Sequence, residues 1–221
     1  MTSYQDVYDM NTIIKNDPRL ANLDPCELNS IRFGYLKFAI SYFMYDCVKD
    51  LTDRTDPVVS GYEFVGDGSE TEFNLVPNPA TGSNFVVYIT QDDNSTQITD
   101  FTFNAETNVL TISTAPADGT TILVKAYTIG EFAEDLDSRE LNILAEGMNV
   151  PYIEEAKNDE NAMKYIVSGK SLRFFSQANH ITALNESVNN QKYHMVDSLI
   201  SEYSYKNNSE NYSTLGGRGN G

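Results

Sequence analysis

The sequence predicts an α+β protein: a helical body with an inserted small antiparallel β-sandwich or barrel. Three observations predict it. Residues 1–56 and 129–206 place apolar side chains at helical spacing, residues 57–128 switch to short β-like runs between turn formers, and residues 207–221 offer little to bury. A chain of 221 residues can bury a core and still carry a sizeable insertion.

The N-terminal helical segment, 1–56, has a helix start at Asp24-Pro25-Cys26-Glu27. Asp24 can cap, Pro25 suits the first helical position, and Glu27 can return a bond to the cap amide. Ile31, Phe33, Leu36, Phe38, Ile40, Phe43, Met44, Cys47, Val48 and Leu51 then recur near helical spacing. The band is wide, so the predicted helix asks for partners on more than one side. Tyr35, Tyr42 and Tyr45 extend it with rings that keep a polar tip, suited to a core or to a subunit contact. Cys26 and Cys47 fall in this one predicted helix, too far apart to bridge, and read as small apolar packers.

In 57–128, Pro57, Gly61, Gly66 and Gly68 punctuate the way in. Gly66-Asp67-Gly68-Ser69 is a tight turn leading into a strand whose Thr71, Phe73 and Leu75 share a face. Five strands are expected, at Phe73 to Val76, Phe85 to Ile89, Phe101 to Phe103, Val109 to Ile112 and Ile122 to Tyr127. Their separators are turn formers, among them Gln91-Asp92-Asp93-Asn94, Asn104 to Asn108 and Pro116-Ala117-Asp118-Gly119.

The C-terminal helical segment, 129–206, completes the body. Leu136, Leu141, Ile143 and Leu144 lead to Gly147, and Asn149-Val150-Pro151-Tyr152 is expected to break the run. A short helix follows from Asp159 to Gly169, then one capped by Ser171, then one carrying Tyr193, Val196, Leu199, Ile200 and Tyr203. The stretch 207–221 is expected to be a flexible tail, ordered at most by a partner.

Thirty-two acidic residues against 15 basic ones give a net charge of −17, which repels phosphate backbones and anionic membranes. Residues 57–128 hold nine acidic side chains and Lys125 as their one basic residue. Asp67 with Glu70 and Glu72, or Asp92 and Asp93 with Asn94, cluster oxygens of the kind hard cations take, but neither run has the spacing of a calcium loop. His180 and His194 have no cysteine near them in sequence to complete a zinc set. No nucleophile elbow, phosphate-binding glycine loop or zinc-protease helix motif occurs, and Gly216-Gly217-Arg218-Gly219 follows no strand. Glu154 with Glu155 and Glu134 with Asp135 are sequence neighbours, which point to different sides of a helix and do not make an acid and base pair. The sequence thus predicts no enzyme: no catalytic residue, no cofactor and no metal.

The first residues show no secretory pattern, and the apolar run Phe33 to Val48 is broken by Lys37 and Asp46 and too short for a bilayer, so a cytosol-like compartment is expected. Asn94-Ser95-Thr96 and Asn185-Glu186-Ser187 match the glycosylation acceptor pattern and read, without export, as polar surface.

The run from Phe64 through Gly66-Asp67-Gly68-Ser69 to Leu75, with Val86-Val87-Tyr88-Ile89 and the later Val109 to Thr120 containing Pro116-Ala117-Asp118-Gly119, resembles a β module of tailed-bacteriophage virion proteins. In that family such a module decorates fibres, baseplates and necks. The chain has no internal repeat and surrounds the module with helices, a layout that looks like a neck or head-to-tail connector protein. The resemblance implies a structural virion protein, an adaptor that self-assembles in the host bacterial cytoplasm into a homo-oligomeric ring between portal and tail. Its partners would be copies of itself and other virion proteins such as portal and tail proteins; packaged DNA would only pass through the lumen, and no membrane is involved. A baseplate or tail-fibre attachment adaptor is the alternative. A carbohydrate-binding module is an alternative of another class, with Tyr62, Tyr88 and Tyr127 as its candidate aromatics.

Overall fold

The computed structural model describes residues 1–18, 20–167 and 196–215, with isolated positions between 182 and 190; side chains are left out at 156–167 and 208–215. The chain is α+β with antiparallel sheets. In chain order its elements are β1 (Thr2–Ser3), α1 (Tyr4–Met10), α2 (Thr12–Lys15), α3 (Pro25–Phe43), β2 (Arg54–Thr55), β3 (Val59–Val65), β4 (Glu72–Asn74) and β5 (Asn84–Gln91). They continue as β6 (Asn94–Ile98), β7 (Phe101–Asn104), β8 (Val109–Ile112), β9 (Thr121–Tyr127), β10 (Glu131–Phe132), α4 (Ser138–Val167) and α5 (Asp197–Leu215). Two compact units result: one takes Met1–Ala21, Ile31–Arg54 and the chain from Glu131 on, the other Asn22–Ser30 and Thr55–Gly130.

The first unit is helical. Ser3 and Asp6 form a capping box that starts α1, and the side-chain oxygen of Asn11 accepts the Ile14 amide at 2.9 Å to start α2. The Asn11 amide nitrogen donates to the Ala145 carbonyl at 2.6 Å and to Asn149 at 3.0 Å, so a buried polar side chain ties α2 to α4 with its donors satisfied. Leu36, Ala39, Ile40 and Phe43 of α3 are buried, as are Leu144 and Met148 of α4 and Val196, Ile200 and Tyr203 around α5. Where the module leaves and returns, β10 pairs with β1 and β2 in a three-stranded sheet, and the Ala133 amide donates to the Asp53 carbonyl.

Gly147 does not end a helix. It lies inside α4, where a methyl group would sit 2.9 Å from Ala39 Cβ and 3.3 Å from its Cα, so the missing side chain lets α3 and α4 approach closely. Gly147→Ala is therefore expected to destabilise this unit by about 1–3 kcal/mol through overpacking, although alanine gains about 1 kcal/mol of helix propensity. Adding Ala39→Gly should recover most of the loss in thermal unfolding, which a purely local effect at residue 147 would not allow.

The second unit is a β unit of two open sheets, in the orders β3-β9-β5-β6 and β4-β8-β7. Strand β9 alternates cleanly: Ile122, Val124 and Ala126 are buried while Leu123, Lys125 and Tyr127 are half-buried on the other face. The buried face meets Phe73, Leu75, Leu110 and Ile112 of the second sheet in one apolar core, with Tyr62 and Val87. Between β5 and β6 the loop is Asp92-Asp93, both at positive φ (48° and 64°), the backbone of a two-residue hairpin turn. Between β7 and β8 the Asn104 side chain accepts the amides of Glu106 and Thr107, and Asn108 takes φ 56°.

All five expected strands are present, within a residue or two at their ends, and five more are present that the sequence does not predict: β3 and β6 in the β unit, and the two-residue β1, β2 and β10. Gly61 sits inside β3, paired with Lys125, because a full antiparallel register with β9 outweighs glycine's low strand propensity. Strand β6 is Asn-Ser-Thr-Gln-Ile, polar because it is an exposed edge. The expected break at Asn149 to Tyr152 and the new start at Asp159 are corrected: α4 runs through Pro151, whose lack of an N–H leaves the Gly147 carbonyl without its helical donor. Cys47 is not in the helix with Cys26, since α3 ends at Phe43 and the chain turns; both cysteines are free. Residues 207–215, expected in the tail, continue α5, an established helix adding one hydrogen bond per residue it fixes. The Ser171-capped helix and Tyr193 fall outside the described residues.

Candidate functional site

The Gly66-Asp67-Gly68-Ser69 turn and the Pro116 to Thr120 turn lie against each other. The Gly66 amide donates to the Thr120 carbonyl at 2.8 Å, the Gly119 amide to the Gly66 carbonyl at 2.9 Å, and the Gly68 amide to the Pro116 carbonyl at 3.0 Å. Gly68 and Gly119 both take positive φ, 79° and 76°. Gly66 is glycine for another reason: a methyl group there would lie 2.6 Å from the Ala117 carbonyl oxygen and 2.6 Å from Thr120 Oγ1. Thr120 is buried and its hydroxyl donates to the Ala117 carbonyl at 2.7 Å. Two motifs separated by about fifty residues thus form one interlocked double turn at the end of the β3–β9 pair.

Asp67 is consumed by this construction. Its Oδ1 accepts the amides of Glu70 at 2.7 Å and Ser69 at 2.8 Å, and its Oδ2 accepts the Ser69 hydroxyl at 3.0 Å. Those donors, Glu70's amide foremost, hold its carboxyl below the usual carboxylate range. Its oxygens order the turn.

Opposite the core face, Lys125 donates to Asp24 Oδ2 at 2.6 Å and to Glu27 Oε1 at 3.4 Å, and lies over the Tyr88 ring. Asp24 Oδ1 also accepts the Glu27 amide at 2.8 Å, so one carboxylate caps α3 and fastens its first turn to β9. Asn29 adds a bond to the Thr128 carbonyl at 3.0 Å. Glu27, expected to bond back to the cap amide, instead turns to Lys125. Burial pushes the Asp24 pKa up, but Lys125 and the amides of Glu27 and Cys26 outweigh it and leave it lowered; the Asp24 bond raises that of Lys125.

The pH window follows from those directions. A lowered folded pKa at Asp24 contributes stability above its unfolded value of about 4, lost as pH falls through the folded value. A raised folded pKa at Lys125 contributes stability below about 10.4, lost as pH rises through the folded value. Asp24→Asn, which keeps a capping oxygen and loses the charge, should cost the β unit about 1–3 kcal/mol at neutral pH. Denaturant unfolding at pH 7 and pH 3 checks this: the gap between Asp24→Asn and the parent should shrink at pH 3.

A polar node lies in the helical unit. Asp137 caps α4, accepting the Glu140 amide at 2.9 Å, and buried Glu140 returns a bond from the Asp137 amide at 2.7 Å. Glu140 Oε2 also receives Lys49 at 3.1 Å, and Oε1 receives the Tyr203 hydroxyl at 2.7 Å. The Val48 amide donates to that hydroxyl at 3.2 Å, and Cys47 Sγ is 3.8 Å from it. Burial pushes the pKa of Tyr203 and of the Cys47 thiol up, so both stay protonated at neutral pH and Cys47 is a poor nucleophile. The node joins the loop after α3, the start of α4 and α5; its groups satisfy one another.

The other residues singled out in the sequence do not converge on these places. Tyr62 points into the core, its hydroxyl donating to the Pro77 carbonyl at 2.8 Å, while Tyr88 and Tyr127 are half-buried on the opposite face of the sheet. The three rings therefore do not form one aromatic platform. Glu155 accepts the Tyr35 hydroxyl, and Glu134 accepts the Asp50 amide at 3.1 Å. His180, His194 and Gly216 to Gly219 fall outside the described residues. Among the described residues no three His, Cys, Asp or Glu side chains are grouped to hold a metal ion, and no helix is long and apolar enough to cross a membrane. Comparison with protein-family models and with curated proteins finds no match for the chain.

Proposed function

We propose that this chain is a structural virion protein of a tailed phage, a neck or head-to-tail connector that forms a homo-oligomeric ring between portal and tail. The observation that carries the proposal is the interlocked double turn. The two runs whose resemblance points to phage virion modules are one feature, built by Gly66, where a side chain would clash, by Gly68 and Gly119 at positive φ, and by an aspartate bonded within its own turn. In this reading the two sheets are a small sandwich inserted in a helical body, the chain leaving through β2 and returning through β10, which pairs with it. Assembly comes from burial of apolar surface between copies and between stacked rings. The net charge of −17 supports an acidic lumen wall past which packaged DNA slides without adhering.

Immunogold labelling of particles with antibody against this chain tests the proposal. Label at the vertex where head meets tail is expected. Label at the distal tail would shift the assignment to a baseplate or fibre adaptor, and particles free of the chain would overturn the virion reading.

A further inference from the structure

Between α4 and α5 the helical unit has a pocket of about 170 Å³ with an apolar floor of Ile143, Leu199 and Tyr203. Its rim carries Arg139 and Lys206, two cations in a chain with more than twice as many acidic as basic residues. Lys206 is bridged to Glu202 one turn earlier, and Glu202 shares the rim; exposed Arg139 is within salt-bridge distance of no described carboxylate, and its charge acts on Glu202. The same unit exposes an aromatic knob. Tyr45, in the turn after α3, is 85% exposed, with exposed Asp46 next to it and Val48 67% exposed close by.

We infer that the Tyr45-Asp46 turn of one copy seats in the α4–α5 pocket of a second copy. The chemistry of knob and socket is complementary: a ring for the apolar floor, and a carboxylate beside it for Arg139, a cation whose own pocket supplies one carboxylate, Glu202, for two basic side chains. The net charge argues for this polarity, since Arg139 and Lys206 offer attraction to a second acidic copy. Exposed Tyr45 and Val48 also form a small apolar patch. Knob and socket adjoin, since the Val48 amide bonds the Tyr203 hydroxyl at the socket floor, so the contact is open both to reciprocal pairing of two copies and to head-to-tail propagation that closes into a ring, and the ring reading selects the second. This inference rests on the ring reading and deepens it by naming the subunit contact.

The test uses the full chain and surface variants that leave the core untouched. Association is followed by sedimentation velocity and native mass spectrometry across concentration. Tyr45→Ala should weaken self-association at least about 30-fold, the effect of losing a buried aromatic anchor. Asp46→Arg and Arg139→Asp should each weaken it, and the double variant should restore it, because the exchanged charges still face each other across the contact. A photoreactive benzoylphenylalanine at position 45 should cross-link to residues 139–143 or 199–206 of another copy.

Rings that form with unchanged strength in Tyr45→Ala, or cross-links from position 45 to other elements, would overturn the contact while retaining the ring reading. A chain that stays monomeric at its solubility limit and gives no cross-link would overturn the contact too. The ring reading would then be decided on the assembled particle.

Discussion

Gly66→Ala is expected to destabilise the β unit by about 2–4 kcal/mol, more than an exposed turn position ordinarily costs. The cause is steric. The added methyl group would meet the Ala117 carbonyl oxygen at 2.6 Å and the Pro116 carbonyl oxygen at 2.9 Å. Both are backbone atoms, the Pro116 oxygen fixed by the Gly68 amide across the turns and the Ala117 oxygen by the Thr120 amide and hydroxyl within its own turn, so neither moves aside as a flexible side-chain tip would. Thr120 Oγ1, also at 2.6 Å, is held by its bond to Ala117. Relief requires the turns to separate, which would break the Gly66–Thr120 and Gly119–Gly66 bonds together. Gly68→Ala is the control. There the strain is a left-handed backbone with no close neighbour nearer than 3.7 Å, and the cost should be about 1–2 kcal/mol. Hydrogen exchange reads the difference: Gly66→Ala should lose amide protection at both Gly66 and Gly119, whereas Gly68→Ala should largely keep it. Equal, small effects of the two variants would contradict the interlock.

Glu140→Ala should destabilise the helical unit by about 3–5 kcal/mol, because it leaves other polar groups stranded. Lys49, the Tyr203 hydroxyl and the Asp137 amide all donate to this one carboxylate. Removing it orphans the Tyr203 hydroxyl hydrogen and the Asp137 amide, leaves Lys49 with the Asp135 carbonyl, and removes the capping box of α4. Tyr203→Phe loses the bonds to Glu140 and to the Val48 amide but keeps the ring packed edge-on against Phe43, so about 1–2 kcal/mol is expected. Limited proteolysis separates the two outcomes. Glu140→Ala should make α5 readily cleaved at native temperature, and Tyr203→Phe should leave it nearly as resistant as the parent. Unchanged melting of Glu140→Ala would show that the node does not hold α5.

Legibility in the sequence varied with how local the determinants are. The start of α3 at Asp24-Pro25 and the turns at Asp92-Asp93 and Asn104 to Asn108 follow from side chains acting on their own backbone, so short-range rules find them. The face shared by Phe73 and Leu75 follows from period two and was equally readable. What escaped was set at long range. Gly61 and Asn94 to Gln97 look like linker residues until the register of β9 and β5 makes strands of them. Gly147 reads as a helix stop because the residue it accommodates, Ala39, lies far away in sequence.

The candidate sites divide in the same way. Both halves of the double turn were visible as turns, but the clash that makes Gly66 obligatory depends on Ala117 and Thr120 arriving from the other motif. Lys125 stands out as the one cation of 57–128 without indicating its partners, Asp24 and Glu27, because the intervening chain folds into the rest of α3 and seven strands, β2 to β8. Glu140 is legible in principle, since Asp137-Ser138-Arg139-Glu140 is a capping box set by short-range chemistry, while its further partners Lys49 and Tyr203 come from far along the chain.

The central claim is the position of this chain in the particle, and cryo-electron microscopy of intact virions tests it most directly. The account predicts, at the portal-to-tail junction, a ring of subunits whose density fits a helical unit and a two-sheet β unit with the double turn at Gly66 and Gly119. Density for the chain only at fibre tips, or rings at the neck that this fold does not fit, would contradict it.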